Sequence, residues 1–245
     1  MEVAVNRAGV ALVALVVMAG AARADASSFD PSFTSHDFEA LAQALGDAVT
    51  FPNLGTAAPG GVTGFQILGA AGGPRVQTDA HWWQYVSHSN TVGGVLVGQR
   101  VVVRKGLPHR LDVGAQVGKV FGDQFWGADL RWGLLEGGTL APAAALRASY
   151  SRLASSTLNR LDVAEAQLVV SKGFLIVSPY AAVGYRRVSA RAELGGPTPV
   201  GHSTTLDHFT AAVGARLGLL PFLHVIGEVR RATGTSVFLG LGVGL

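Results

Sequence analysis

The chain has 245 residues, of which 49% are hydrophobic and only 14% are charged, and its formal net charge is +3. Such a small and dispersed positive charge does not indicate a nucleic-acid partner. Cysteine is absent, which excludes disulfides, thiolate metal sites and a lipoprotein anchor on cysteine. An apolar chain with little charge is typical of membrane proteins, yet beyond the N-terminus no run of about 18 clean apolar residues occurs. A membrane protein without membrane helices has to be a closed β-barrel.

Residues 1–24 have the pattern of a secretory signal. Arg7 supplies the positive charge, an apolar run extends from Ala8 to Gly20, and Ala22 to Ala24 fit the small-residue cleavage motif. Because the apolar run is too short to cross a bilayer comfortably, we expect cleavage rather than an uncleaved anchor. The mature chain is then predicted to begin at Asp25.

Residues 25–60 are predicted to form a periplasmic segment with one short amphipathic helix. Thr34 or Ser35 can cap this helix, and Gly46 is the expected stop. Its apolar residues recur at helical spacing: Phe38, Leu41, Ala42 and Leu45. This apolar face needs cover, from the lower mouth of a barrel, from its lumen as a plug, or from the membrane surface. Pro52 to Gly61 then reads as a linker.

Residues 61–245 form a succession of segments in which apolar and polar residues alternate. This period of two is typical of strands that cross a membrane with one face toward lipid. The segments are 62–71, 92–104, 110–120, 126–136, 142–153, 160–170, 179–191, 206–218, 223–231 and 236–245. They predict an all-β fold, an antiparallel transmembrane β-barrel of about ten strands, with eight and twelve left open.

The last segment is aliphatic along one face up to the terminal carboxylate. Its alternate residues, expected to face lipid and to assemble against the first strand, are Val237, Leu239, Leu241, Val243 and Leu245. In a soluble protein such an edge strand would promote aggregation, which argues against a secreted β-sandwich. The pattern is explained if this strand closes a barrel in the outer membrane of a Gram-negative cell.

Several stretches carry a family resemblance. They are DFEALAQALGDAV followed by GVTGF, KGLPHRLDVGAQVG, LRWGLLEGG, PAAALRASYSRL and SKGFLIVSPYAAVGY. Together they resemble a poorly characterised family of small proteobacterial outer-membrane β-barrels with a short N-terminal helix. The resemblance implies the fold and supplies no catalytic residues.

Charged residues at inward-facing positions predict a narrow lumen lined by ion pairs. The set is Arg104, Asp112, Asp129, Arg131, Arg147, Glu165, Arg186, Arg216, Glu228 and Arg230. About eight strands enclose only their own side chains, so ten leave a thin path at most. We expect a structural network, and the alternative is a selective pore in which the arginine excess favours anions.

The connections between segments predict an orientation and one candidate surface. If the first strand begins in the periplasm, the long connections 72–91 and 192–205 lie outside, as is usual in outer-membrane barrels. The first of them carries a possible external binding loop, in which exposed indoles would anchor a ligand: His81, Trp82, Trp83 and Tyr85. The spacing of Asp79, His81 and His88 matches no metal-ligand motif, so no metal site is predicted.

No catalytic set is predicted. His208 and His224 lie on adjacent predicted strands and could approach serine or carboxylate groups, but no nucleophile elbow is present. The leading function is a structural or passive small-solute transport role, with loop-mediated binding as the alternative and a lipid-modifying enzyme less favoured. No cofactor is expected. The expected partners are outer-membrane lipid and, during biogenesis, the barrel-assembly machinery and periplasmic chaperones; the sequence predicts no oligomeric state.

Overall fold

The computed structural model describes residues 34–77, 79–80, 82–83, 91–138, 141–154, 160–194 and 200–244. These residues form one helix and twelve strands: α1 (Ser35–Val49), β1 (Phe65–Pro74), β2 (Thr91–Val92), β3 (Val95–Leu96), β4 (Gly98–Leu107), β5 (Leu111–Val120), β6 (Asp123–Glu136), β7 (Ala143–Ala154), β8 (Arg160–Ser171), β9 (Val177–Leu194), β10 (Val200–Gly218), β11 (Leu223–Arg231) and β12 (Thr235–Gly244). No helix in the described ranges is both long and apolar enough to cross a membrane. The predicted signal sequence lies outside these ranges.

Ten strands form one closed antiparallel barrel in the order β1-β12-β11-β10-β9-β8-β7-β6-β5-β4, and β4 pairs with β1 to complete the ring. β12 pairs with β1 from Gln66↔Gly244 to Pro74↔Ser236, so the last strand closes the barrel against the first. β2 and β3 form a separate two-stranded hairpin in the first long connection. The predicted ten-strand barrel with one short helix is thereby confirmed.

The two faces of each strand differ sharply. In β6, Leu130 and Trp132 are 48% and 52% exposed, whereas Asp129 and Arg131 are 5% and 3% exposed. The same alternation continues in β12, where Val237 and Leu239 point outward and are exposed. Leu241 and Val243 are half-buried, and Leu245 lies outside the described residues. The barrel therefore has an apolar exterior and an interior that buries both charged and apolar side chains.

Residues 34–60 run through the lumen of the barrel and are named the plug below. α1 begins with a capping box, in which the Thr34 hydroxyl accepts a bond from the Asp37 amide (3.2 Å) and the Asp37 carboxylate accepts one from the Thr34 amide (3.0 Å). Gly46 was predicted to end the helix, but the helix continues to Val49. Gly46 serves close packing instead, because a Cβ there would lie 2.8 Å from a Val188 methyl group on β9.

The plug runs from one end of the barrel to the other. Near its start, the Phe38 ring lies 5.6 Å from the ring of His202, beside the β9–β10 connection. Near its end, the Gly60 amide donates to Asp112 at the start of β5 (3.0 Å). We name the first end the long-connection end and the other, which holds the turns between β4 and β5 and between β10 and β11, the short-turn end.

This path corrects the predicted periplasmic location of residues 25–60 for the part that the structure describes. Residues 34–60 lie in the lumen, because the apolar face of α1 is buried against the inner wall of the barrel, including Leu161 and Val188. The sequence left three surfaces that could bury the apolar face of α1, and the structure shows that the lumen does so. Residues 25–33 lie outside the described ranges.

Candidate functional site

The helix end of the plug is covered by the first long connection. Trp82 and Trp83 are 8% and 3% exposed and belong to the same buried cluster as Phe38 and Leu41 of α1. Their rings meet edge to face at 5.4 Å. The two indoles were expected as exposed anchors for a ligand. They are instead buried, because the helix and the rim of the barrel offer them an apolar surface.

His81 and Tyr85, the other two residues of the predicted external binding loop, lie outside the described ranges, as does His88. The described part of that loop therefore packs onto the plug rather than presenting an anchor to solvent.

Two arginines on opposite walls hold the C-terminal end of α1. Arg100 of β4 donates to the carbonyl oxygens of Ala48 (2.5 Å) and Thr50 (2.6 Å). Arg186 of β9 forms a buried ion pair with Asp47. β4 and β9 are five strands apart in a ring of ten, so these contacts reach the helix from both sides of the lumen.

Below the helix the plug has no regular structure, and four arginines donate to its carbonyl groups. Arg147 and Arg230 bond the Phe51 carbonyl oxygen at 3.0 and 3.3 Å. Arg104 and Arg131 bond the Asn53 carbonyl oxygen at 3.2 and 3.4 Å. Arg131 also bonds the Asn53 side-chain oxygen at 2.6 Å.

Wall side chains likewise accept bonds from amide groups of the plug. The two carboxylate oxygens of Glu228 accept bonds from the Asn53 amide (3.2 Å) and the Leu54 amide (2.9 Å), and one of them also accepts from the Tyr180 hydroxyl (2.8 Å). Further down, the Ser171 hydroxyl accepts from the Ala57 amide at 2.8 Å. The polar backbone groups of this buried segment thus find partners on the wall, as burial requires.

The wall residues also bond one another. Asp129 lies between Arg104 (3.1 Å) and Arg147 (2.8 Å). The carboxylate of Glu165 accepts two bonds from Arg230, at 2.5 and 2.7 Å. Such buried pairs add little net stability when complete, but removing one partner leaves an uncompensated charge at a cost of about 3–5 kcal/mol.

The structure places all ten residues of the predicted lumen set on the inner face of the barrel. Nine are no more than 7% exposed. The tenth, Arg216, is half-buried and lies 3.3 Å from Nδ1 of His224. The predicted residues thus form one connected lining around the plug.

Sequence reasoning missed several members of this lining. Arg100 could have been found, because it lies four residues from Arg104 on the same face of one strand. Gln116 and Tyr180 also alternate with the lipid-side positions of their strands, but they are uncharged and were therefore not included in the predicted set of charged residues. Asn53 gave no signal, because its surroundings have the composition of a linker.

The two histidines considered for catalysis are far apart. In the pairing of β10 with β11, His224 is opposite Gly218, whereas His208 lies ten positions away along β10. At about 3.3 Å per residue this separation is about 33 Å. In the described part of the chain, no cluster of three or more histidines and carboxylates could hold a metal ion.

At the short-turn end a pocket of about 420 Å³ opens between the β8–β9 and β10–β11 turns and reaches Arg216 and His224, but the space that borders both the plug and the wall is small. A cavity of about 70 Å³ lies between the plug and the wall there, lined in part by Arg104, Asp112, Arg131, Arg216 and His224. A cavity of this size accommodates a few water molecules. It does not form a solute-sized path through the lumen.

No protein-family model and no curated protein sequence matches the chain. Among solved structures it is similar to the N-terminal β-barrel domain of Pseudomonas aeruginosa OprF, with 8% identity, a TM-score of 0.39, and coverage of 76% of this chain and 99% of that one. It is also similar to Ail of Yersinia pestis (14% identity, TM-score 0.32, coverage 74% and 95%) and to Neisserial surface protein A (12%, 0.32, 74% and 96%). Scores at this level carry no inference about function, and the family resemblance stays a prediction.

Proposed function

We propose that the protein is an outer-membrane β-barrel whose resting state is closed by its own plug. Its role is then structural, and small solutes pass only when the plug is displaced. One observation carries this proposal: residues 47–60 of the plug are bonded by side chains from seven of the ten barrel strands. The wall residues are Arg100, Arg104, Asp112, Gln116, Arg131, Arg147, Ser171, Arg186, Glu228 and Arg230.

An outer-membrane location is supported by the exterior. Phe209 is 85% exposed and Leu239 is 62% exposed, and both stand on outward faces among other apolar side chains. A continuous apolar surface of this kind is unfavourable in water but matches the hydrocarbon layer of a bilayer. The long connections then face outward, because short turns lie in the periplasm in such barrels. In this orientation the plug enters the lumen from the cell surface.

A closed resting state follows from the number of bonds that displacement would break. A hydrogen bond to a charged group contributes roughly 1.5–3 kcal/mol. Displacing the plug breaks several such bonds and exposes the buried face of α1, including Phe38 and Leu41. Some of these bonds would be replaced by water. The sum nevertheless favours the closed form strongly in the absence of another ligand.

Single-channel conductance in planar bilayers tests the proposal. We compare the refolded mature protein with a variant that lacks residues 25–60 and with a Gly46→Cys/Val188→Cys variant. A Cβ at position 46 would lie 3.5 Å from the Val188 Cβ, within the range of disulfides, and the chain has no other cysteine. The oxidised pair therefore locks the helix to the wall.

We expect no current from the intact protein or from the locked variant, and ion-selective steps from the folded deletion variant. Steady current through the oxidised, locked variant would refute the closed state. Silence of the deletion variant, with folding established by heat-modifiable gel migration, would refute passage of solutes and leave a structural role.

A further inference from the structure

The outer surface of the barrel carries an apolar groove that the closed lumen does not explain. The groove has a volume of about 960 Å³, extends across β6 to β10, and reaches Arg231 and Ala232 at the end of β11. Ala148 and Ala166, which are directly paired between β7 and β8, form its floor. Larger side chains form its sides: Leu130, Trp132, Leu168, Tyr185 and Phe209. The two small residues thus leave an elongated apolar slot between the larger side chains at its sides.

Four arginines stand on the outward face of the neighbouring part of the wall, toward the long-connection end. We name this set the arginine cluster: Arg152, Arg160, Arg187 and Arg191. Arg187 follows Tyr185 of the groove by two residues on the same face of β9, a separation of about 7 Å. It is also paired in register with Ala164, which precedes Ala166 of the groove floor by two residues. The cluster therefore adjoins one end of the groove.

The described carboxylates of this area do not balance the cluster. Asp162 pairs with both Arg152 (2.7 Å) and Arg160, and Asp207 pairs with Arg187 at 2.8 and 3.0 Å. Among the described side chains, four guanidinium groups thus face two carboxylates.

One pair within the cluster brings like charges together, and Asp162, which pairs with Arg160, is shared with Arg152. Arg160 and Arg191 are directly opposite each other in the register of β8 and β9, and both are exposed. Like charges in this position repel each other and destabilise a sheet. An anion placed between two guanidinium groups reverses the sign of that interaction, and phosphate suits their planar donors well.

We propose that the groove and the arginine cluster together bind one phosphorylated lipid of the outer leaflet. Its phosphate groups bond the cluster, and its acyl chains lie in the groove. This inference rests on the proposed outer-membrane location and orientation. Charge complementarity selects a phosphorylated lipid over a zwitterionic one, and the adjoining groove selects a lipid over a free phosphate ion.

Native mass spectrometry of the refolded mature protein in non-ionic detergent tests this site. The probe is a bis-phosphorylated, multiply acylated glucosamine disaccharide, and the comparison is the same lipid without phosphates. We expect one bound copy of the phosphorylated lipid, and at least tenfold weaker binding of the dephosphorylated form.

Variants separate the two parts of the site. Arg187→Gln/Arg191→Gln is expected to weaken binding at least tenfold. The matched control, Lys105→Gln/Arg110→Gln, removes the same charge at exposed positions of the short-turn end and should leave binding unchanged. Ala148→Leu/Ala166→Leu fills the floor of the groove without changing the charge and should also weaken binding.

Equal binding of the two lipids, or equal weakening by the cluster and control variants, would overturn the proposal. Heat-modifiable migration establishes that each variant is folded. Cell fractionation separates this proposal from the one on which it rests. A protein found in the outer membrane that binds neither lipid refutes the site alone, whereas a protein found in the soluble periplasm refutes the location.

Discussion

Replacing Glu228 by Gln should loosen the plug at its centre. The Glu228 carboxylate accepts bonds from the Asn53 amide at 3.2 Å, the Leu54 amide at 2.9 Å and the Tyr180 hydroxyl at 2.8 Å. Glutamine keeps one acceptor oxygen but turns an amide donor toward a group that itself donates. Since a hydrogen bond to a charged group contributes roughly 1.5–3 kcal/mol, we expect local opening to become easier by about 3 kcal/mol. That change corresponds to about a 100-fold loss of protection from exchange.

Amide hydrogen exchange of the refolded protein in detergent micelles measures this change at Asn53 and Leu54. Glu136→Gln is the matched control, because Glu136 forms an exposed ion pair with Arg110 at 2.7 Å, and such surface pairs contribute only about 0–1 kcal/mol. The control should leave exchange in the plug unchanged. Protection at Leu54 that stays within about threefold of the wild type in Glu228→Gln would refute the role assigned to this carboxylate.

Further predictions concern packing, the lipid face and orientation. Gly214→Ala places a methyl group into the Tyr180 ring. It should therefore lower the free energy of unfolding in urea by about 1–3 kcal/mol. In the control Gly227→Ala on β11, the added methyl group has its nearest neighbour at an ordinary 3.5 Å, so stability should not change. Leu239→Arg, in the middle of β12, should cost roughly 2–4 kcal/mol in folding into vesicles; an unchanged folding yield would contradict its lipid-facing position. An epitope tag before Asp25 should bind antibody on intact cells and a tag in the β8–β9 turn should not, and the reverse result would contradict the orientation.

The barrel was predictable because a strand has a fixed period of two. The predicted segment 126–136 corresponds to β6 (Asp123–Glu136), and the segment 179–191 corresponds to β9 (Val177–Leu194). β9 exceeds the predicted segment by two residues at its start and three at its end, because its backbone stays paired with β10 from Ala192↔His202 to Leu194↔Val200.

The plug was not predictable in the same way. The pattern of an amphipathic helix such as α1 indicates only that its apolar face is shielded from water. A lumen, a barrel mouth and a membrane surface can each shield it equally well. The position of Trp82 and Trp83 depends on the same choice, because their cover is the plug itself. Such long-range contacts leave no local pattern in the sequence.

The arginine excess of the lumen has a direct explanation in the backbone of the plug. An irregular segment buried in a narrow lumen presents carbonyl groups that need donors, and each guanidinium supplies several in a rigid fork. Among the described residues of the wall that are buried, six arginines face four carboxylates: Arg100, Arg104, Arg131, Arg147, Arg186 and Arg230 against Asp112, Asp129, Glu165 and Glu228. While the plug is present, this surplus indicates plug binding rather than anion transport.

Removing the plug changes what the same residues do. The carbonyl partners leave, Asp47 leaves with them, and the wall keeps its surplus of positive charge. A folded variant without residues 25–60 should therefore prefer anions, because a ring of arginines attracts them and repels cations. The reversal potential in a potassium chloride gradient measures this preference. A cation-selective current would show that the buried arginines do not set the field of the open lumen, and the explanation of their excess would then have to change.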